Sequence, residues 1–235
     1  NGNIAQWSFE KFQDIAKELY RVTKQGGVVV WVVGDATIKG SETGTSFKQA
    51  LYFKEIGFNL HDTMIYEKDT QPCHDYRNRR YKQYFEYMFI LSKGKPKTYN
   101  EIKDVPTKNA GKIIKKATKR LPNGEMRHFT EEGRIVKIKE FMARSNIWKV
   151  NTDKREIGHP AIFPEQLAQD HIISWSNEGD IVLDPFIGSG TTAIACINTN
   201  RNYIGFELDK HYCDIANERI QKRLNDFMAQ GRLFE

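Results

Sequence analysis

The sequence predicts an α/β protein of Rossmann-like fold, with a mixed, mostly parallel sheet and one inserted region. Three observations carry that expectation. An unbroken apolar run, "VVVWVVGD", follows a segment with helical spacing, as a buried strand entered from a helix would. The last quarter of the chain alternates strand, helix, strand, helix. Between these parts lies a Lys-rich stretch in which neither periodicity persists.

The elements follow in order. "SFEKFQDIAKELYRVTKQGG" places Phe9, Phe12, Ile15, Ala16, Leu19 and Val22 on one helical face, with Ser8 as its cap and Gly26-Gly27 as its end. The run from Val28 to Val33 reads as a strand buried on both faces, closing at Gly34-Asp35. Residues 45–56 read as a helix. "GFNLHDTMIYEK" and "YKQYFEYMFILSK" read as two strands forming an antiparallel pair at a sheet edge. From Gly94 to about Ser145 the pattern loosens, with an Asn-Gly hairpin turn in "LPNGEM" and a short strand in "GRIVKI". "FPEQLAQDHIISWS" is a helix with Pro164 in its first turn. "DIVLD", "TTAIACINTN", "NYIGFELD" and "YCDIANERIQKRLNDF" then complete a βαβα unit.

Composition narrows the classes. A chain of 235 residues can bury the core of one domain with an insertion. No apolar run is long enough to span a bilayer and no signal-peptide pattern opens the chain, so a cytoplasmic protein without membrane contact is expected. Cys73, Cys196 and Cys213 stand far apart, which supports neither a zinc site nor a disulfide framework; no metal is expected. Charge is uneven. Residues 93–149 carry sixteen Lys and Arg against six Asp and Glu, a balance of +10, which leaves −4 for the rest of a chain whose net charge is +6. Such a patch suits a polyanion, although a lysine-rich segment can equally be a solvated face.

"IVLDPFIGSGTTAIACI" concentrates the chemistry. Gly188-Ser189-Gly190-Thr191-Thr192-Ala193 fits the dinucleotide fingerprint G-x-G-x-x-G/A, with a strand before it and a helix after it. A P-loop is excluded because no Lys follows the second glycine. Glu207, at the end of the next strand, falls where an acid binds ribose hydroxyls; a solvated strand-end acid is the alternative. Asp184-Pro185-Phe186 argues against a nicotinamide dinucleotide, since a carboxylate there repels a pyrophosphate. It attracts a ligand carrying an ammonium group, such as S-adenosylmethionine, and Phe186 could pack on an adenine or another apolar surface.

At these residues the chain resembles a known family. "DPFIGSGTT" with "YIGFELD" looks like the cofactor half of the bacterial DNA amino-methyltransferases, which modify the exocyclic nitrogen of adenine or cytosine. "HPAIFPEQL" resembles the family's third cofactor motif, which adds His159, Pro160 and Phe163 to the expected cofactor contacts; a loop entering a helix, with Phe163 in the core, is the alternative. Its place before the glycine loop is the family's permuted order, with the catalytic half first. "ELYRVTKQGGVVVWVVGD" and "YFEYMFILSKGKPK" are similar to segments of that half. The resemblance implies a methyltransferase domain in three parts: a catalytic half over 1–94, a target-recognition insertion over 95–145 and a cofactor half over 146–235. It further implies S-adenosylmethionine as cofactor, double-stranded DNA as partner, a cognate restriction enzyme in the same system, and a monomer or homodimer.

One departure stands out. The family's catalytic motif, Asp, Asn or Ser followed by Pro-Pro-Tyr or Pro-Pro-Phe, is absent, so no catalytic residue is expected in this chain; the motif's place is upstream of Asn1, at the end of a central strand neighbouring the one that ends at Asp184. In the chemistry the resemblance implies, that motif accepts hydrogen bonds from the flipped base's amine and stacks on its ring. The short chain alone is therefore expected not to methylate. "YRNRRYK" combines Arg77, Arg79 and Arg80 with two tyrosines, as a phosphate-contacting segment or as a solvated loop. Asp35 reads equally as a cap or as pocket lining. The stripe Tyr81, Tyr84, Phe85, Tyr87, Phe89 reads as sheet packing. Two other functions use the same residues: a nicotinamide-dependent oxidoreductase, and a DNA-binding protein that keeps the fold without methylating.

Overall fold

The computed structural model describes residues 7–68, 79–114, 118–128, 136–151 and 163–229. The chain forms two units, one of residues 1–100 with 146–235 and one of Glu101–Ser145. The larger unit opens with α1 (Phe9–Val22), whose start is held by Ser8 Oγ accepting from the Lys11 N–H at 3.3 Å. Its apolar stripe buries Phe12, Ala16 and Leu19. β1 (Val28–Val33) follows, then β2 (Thr37–Ile38) and β3 (Ser41–Glu42), a small hairpin turning at Lys39-Gly40. Both turn residues have positive φ, +48° and +80°, as a tight hairpin turn requires. Periodicity cannot reveal strands of two residues. Next come α2 (Thr45–Glu55), β4 (Asn59–Lys68) and β5 (Phe85–Ser92).

The smaller unit is built of β6 (Val105–Pro106), β7 (Ile113–Ile114), β8 (Thr118–Arg120), β9 (Met126–His128), β10 (Val136–Lys137) and β11 (Phe141–Met142). They pair antiparallel in nested fashion: β8 with β9, β7 with β10, β6 with β11. Asn123-Gly124 lies in the innermost turn, Gly124 at φ +88° and Asn123 Oδ1 accepting from the Glu125 N–H at 3.1 Å. Arg144 forks onto Asp104, its Nε donating to both carboxylate oxygens at 2.8 and 3.0 Å.

The chain re-enters the larger unit at β12 (Ile147–Val150) and continues through α3 (Glu165–Trp175), β13 (Ile181–Asp184), α4 (Thr191–Asn198), β14 (Asn202–Gly205) and α5 (Lys210–Ala229). The main sheet has the order β1-β5-β4-β12; β5 runs antiparallel to both neighbours, and β12 parallel to β4. β13 and β14 pair in parallel as a second ladder. The sheet is thus mixed. The expected antiparallel pairing of β4 with β5 is present, but not at an edge: β5 lies inside the sheet, and Met88–Ser92 are buried throughout. The reason is visible in "MFILS", which keeps its apolar run where an edge strand would alternate. β1 departs the other way. Expected to be buried on both faces, it is half-buried along its whole length, with Val29, Trp31 and Val33 packed against the main core.

The main core is aromatic. Phe12 meets Phe53 edge-on at 5.2 Å and Trp31 at 5.5 Å, over buried Phe58, Phe89 and Leu91. Each such ring contributes roughly 1.5–3 kcal/mol by leaving water. Leu183 of β13 packs against this cluster, which seats the strand leading to the glycine loop on the same core as β1.

Candidate cofactor site and nucleic-acid face

β13 and β14 end side by side, with Asp184 in register with Gly205. The chain beyond them is stitched together: Phe206 N–H donates to the Asp184 carbonyl and Ile187 N–H to the Phe206 carbonyl, both at 3.0 Å. Gly205 has no side chain because Ile187 lies on it; a Cβ there would overlap Ile187 Cδ1. The loop then turns through Gly188 and Gly190, at φ +51° and +86°, conformations that glycine adopts without strain. Gly190 N–H closes the turn on the Ile187 carbonyl at 2.8 Å and α4 begins at once, its first-turn N–H groups facing out of the helix end.

Asp184 organises this loop. Its Oδ1 accepts from the Phe186 N–H at 2.9 Å and its Oδ2 from Thr192 Oγ at 2.5 Å, so the carboxylate ties strand end, loop and helix start together. Phe186 is 48% exposed and edge-on to Trp7 at 5.6 Å and Trp31 at 6.2 Å. Glu207 curls over its own turn, Oε1 accepting from Leu208 N–H at 2.7 Å and Asp209 N–H at 2.8 Å. Oε2 keeps no partner among the described residues. Leu208 beside it is 97% exposed. Ser189 and Thr191 are buried, and Arg219 of α5 donates from behind the loop to the Ser189 carbonyl at 2.5 Å and to Ser189 Oγ at 3.0 Å.

The set brings Asp184, Pro185, Phe186, Gly188, Ser189, Gly190, Thr191 and Glu207 to one end of one ladder. Its donors and acceptors suit a zwitterionic nucleoside. Open N–H groups of α4 suit a carboxylate, Asp184 an ammonium, the spare Glu207 oxygen a ribose hydroxyl, and Phe186 and Leu208 an apolar ring. Phe163 lies elsewhere, packed on Ala168, Ile172, Ala195 and Cys196 between α3 and α4. His159, Pro160, Arg77 and Cys73 lie outside the described residues.

Of the arginines expected to meet phosphate, Arg79 is exposed, while Arg80 donates to Glu42 Oε1 at 3.2 Å and to the Gly40 carbonyl at 2.5 Å. Arg80 therefore pins the β2–β3 hairpin. Asp35 is a cap: it accepts from Thr43 Oγ at 2.9 Å, from the Ser46 N–H at 3.1 Å and from Ser46 Oγ, holding the start of α2. Those bonds hold its pKa below the ordinary carboxylate value against a desolvation that raises it. Of the aromatic stripe, Tyr87 and Phe89 stack at 5.5 Å within β5, as sheet packing, whereas Tyr81 and Tyr84 precede the strand and Tyr81 is fully exposed.

Sequence reasoning missed Arg219 and Trp7, whereas His171 falls at helical spacing with Leu167, Ile172 and Trp175. The signal for Arg219 was present: it follows Ala216 by three on the face of α5 that also buries Ile220. His171 stacks on Trp148 at 4.6 Å, with Nε2 3.1 Å from Met88 Sδ and Nδ1 without a partner among the described residues. Burial pushes its pKa down to about 3, so it is neutral. Among the described residues no cluster of His, Cys, Asp and Glu could hold a metal, and no helix is long and apolar enough to cross a membrane.

A strand, glycine loop, helix and second parallel strand, with an acid two residues past its end, belong to a Rossmann-like fold of S-adenosylmethionine-dependent methyltransferases. The chain belongs to the DNA methylase family, whose sequence profile matches residues 2–218. It is 58% identical over 228 residues to the orphan methyltransferase M.BamHII of Bacillus amyloliquefaciens, covering 93% of this chain and 83% of that one. It is 29% identical to the type II methyltransferase M.SmaI of Serratia marcescens over 77% of this chain, which spans only about half, 52%, of that longer protein. Among solved structures, a protein of Thermus thermophilus described as a putative DNA modification methylase, crystallised with S-adenosyl-L-methionine, superposes with a TM-score of 0.59 at 26% identity, covering 92% of this chain and 77% of that one. The PvuII DNA methyltransferase shares the fold at 19% identity, with a TM-score of 0.64 over 92% of this chain and 75% of that one. The protein is thus an S-adenosylmethionine-dependent DNA amino-methyltransferase, and the oxidoreductase reading is not favoured.

Proposed function

We propose that residues 146–235 bind S-adenosylmethionine through Asp184, Pro185, Phe186, Gly188, Ser189, Gly190, Thr191 and Glu207, that residues 1–94 form the catalytic half, and that residues 95–145 read the DNA target. The observation that carries this reading is the glycine loop, held by Asp184 with α4's N-terminus open beside it and the spare oxygen of Glu207 on the adjacent strand end. When bound, S-adenosylmethionine supplies a methyl group on a sulfonium, a good leaving group for transfer to an exocyclic amine of adenine or cytosine. The chain's own residues bind and orient it: Glu207 by hydrogen bonding, Asp184 by charge and by fixing the loop, Phe186 by covering an apolar face. No metal is needed, because positioning and electrostatics suffice for this transfer.

The 235 residues contain no Pro-Pro pair. A strand end bearing Asp, Asn or Ser before Pro-Pro-Tyr or Pro-Pro-Phe, brought beside the cofactor, would accept the amine's hydrogen bonds next to the methyl. The described part of 95–145 and exposed Arg79 are proposed to meet double-stranded DNA, and His159 and Pro160 to border the cofactor, while Phe163 serves the core beside α3 and α4. We place the protein in the cytoplasm, as a monomer or homodimer. M.SmaI is named a type II enzyme and M.BamHII an orphan, so a cognate restriction enzyme accompanies this reading as one of two arrangements.

Calorimetric titration with S-adenosylmethionine and with NADH tests the cofactor assignment. Binding of the first alone is expected; binding of NADH alone would overturn it.

A further inference from the structure

The glycine loop rests on α5. α5 approaches it at Ala216: a Cβ on Gly190 would stand 3.1 Å from Ala216 Cβ and 3.2 Å from its Cα. One turn on, Arg219 Nη1 donates to the Ser189 carbonyl at 2.5 Å, to Ser189 Oγ at 3.0 Å and, at the outer limit, to Thr191 Oγ at 3.5 Å. The peptide between Ser189 and Gly190 is thereby fixed at both ends, its carbonyl by Arg219 and its N–H by the Ile187 carbonyl. Ser189 and Thr191 are both buried, so the guanidinium works where water competes little.

We infer that Arg219 is a positioning residue for the cofactor: from behind the loop, it sets the Ser189-Gly190 peptide and the start of α4 in the orientation that receives the ligand's amino-acid end. The inference rests on the cofactor reading above and adds a residue that does not itself touch the ligand. Two features support the amino-acid end over the adenosine end. The restrained peptide leads directly into the helix N-terminus, whose open N–H groups favour an anion, and Asp184, tied to the same helix through Thr192, favours an ammonium. Glu207 and Leu208, which suit the nucleoside, sit on the other strand end, and Glu207 spends its bonds on its own turn. The guanidinium also adds a positive charge behind a site flanked by two carboxylates, which offsets their repulsion of a ligand carboxylate.

The test compares two probes on wild type, Arg219→Ala, Arg219→Lys and Ser189→Ala. S-adenosylmethionine carries the amino-acid end and 5′-methylthioadenosine lacks it. Arg219→Ala should weaken S-adenosylmethionine by about tenfold or more, the usual consequence of losing a charged hydrogen bond, while 5′-methylthioadenosine binds unchanged. Arg219→Lys, which keeps one donor and the charge, should restore part of the loss, and Ser189→Ala should show a smaller loss with the same selectivity. Equal weakening of both probes, or none, would overturn the inference. Should Arg219→Ala not fold, the lysine and Ser189 variants decide it by the same ratio. Failure of wild type to bind S-adenosylmethionine would instead strike the cofactor reading itself.

Discussion

At the scale of single residues, the two carboxylates of the site have separable duties. Among the described residues the Glu207 side chain accepts hydrogen bonds only within its own turn, so Glu207→Gln should leave stability nearly unchanged and cost roughly 1.5–3 kcal/mol of cofactor affinity. Asp184 also holds Phe186 and Thr192, so Asp184→Ala should lose affinity and stability together, whereas Asp184→Asn, which keeps an acceptor, should recover much of the stability. Calorimetry paired with thermal melting separates these; affinity unchanged in both Glu207→Gln and Asp184→Ala would remove the two residues from the site. His171 makes a pH prediction. Its folded pKa, near 3, lies below its ordinary 6.5, so between those values the unfolded chain binds the extra proton. The stability this confers is complete above about pH 6.5 and falls on acidification at up to about 1.4 kcal/mol per pH unit. Urea midpoints at several pH values, for wild type and His171→Leu, should differ in slope across that window; parallel curves would refute the buried neutral imidazole. Cys196, buried and with its thiol pushed up to about 12, should resist alkylation until the protein unfolds.

Elements explain what could be foreseen. α1, α2, α3 and α5 were legible because each carries an apolar stripe at helical spacing, and α1 also a serine cap. The glycine loop was legible because two left-handed turns so close together leave glycine as the unstrained choice. The β2–β3 hairpin was not, since two-residue strands carry no period, and its stability comes from distant partners: Asp35, eight residues from Thr43, and Arg80, about forty residues away. The interior place of β5 was equally hidden, because pairing partners are a property of the sheet rather than of the strand. Asp35→Ala tests the hairpin's anchorage. It should cost about 1–2 kcal/mol, the scale of a lost helix cap, and loosen exchange-protected amides around Ser46. The insertion offers a larger test. Asn100 donates to the Ile173 and Ser176 carbonyls and Asn146 to the Thr63 carbonyl, so both chain ends flanking Glu101–Ser145 are fastened to the larger unit. Replacing that segment with a short linker should therefore spare S-adenosylmethionine binding and abolish sequence preference; an unaltered target site in an otherwise active protein would contradict the recognition role.

For the whole molecule, charge and sheet topology each make a demand. The surplus of +10 within residues 93–149 should make duplex binding fall steeply with salt, visible as a linear loss of log affinity against log salt concentration. The 235-residue chain should take up cofactor yet transfer no radiolabelled methyl to plasmid DNA, and joining a strand with the Asp/Asn/Ser-Pro-Pro-Tyr/Phe motif should confer transfer. Robust activity of the chain alone would mean that the amine's acceptors have been misplaced. Phe186, edge-on to Trp7 at 5.6 Å and Trp31 at 6.2 Å, carries a consequence beyond binding: two indoles beside one ring make tryptophan fluorescence a reporter of occupancy, and emission that stays unmoved on titration with S-adenosylmethionine would place the ligand away from Phe186.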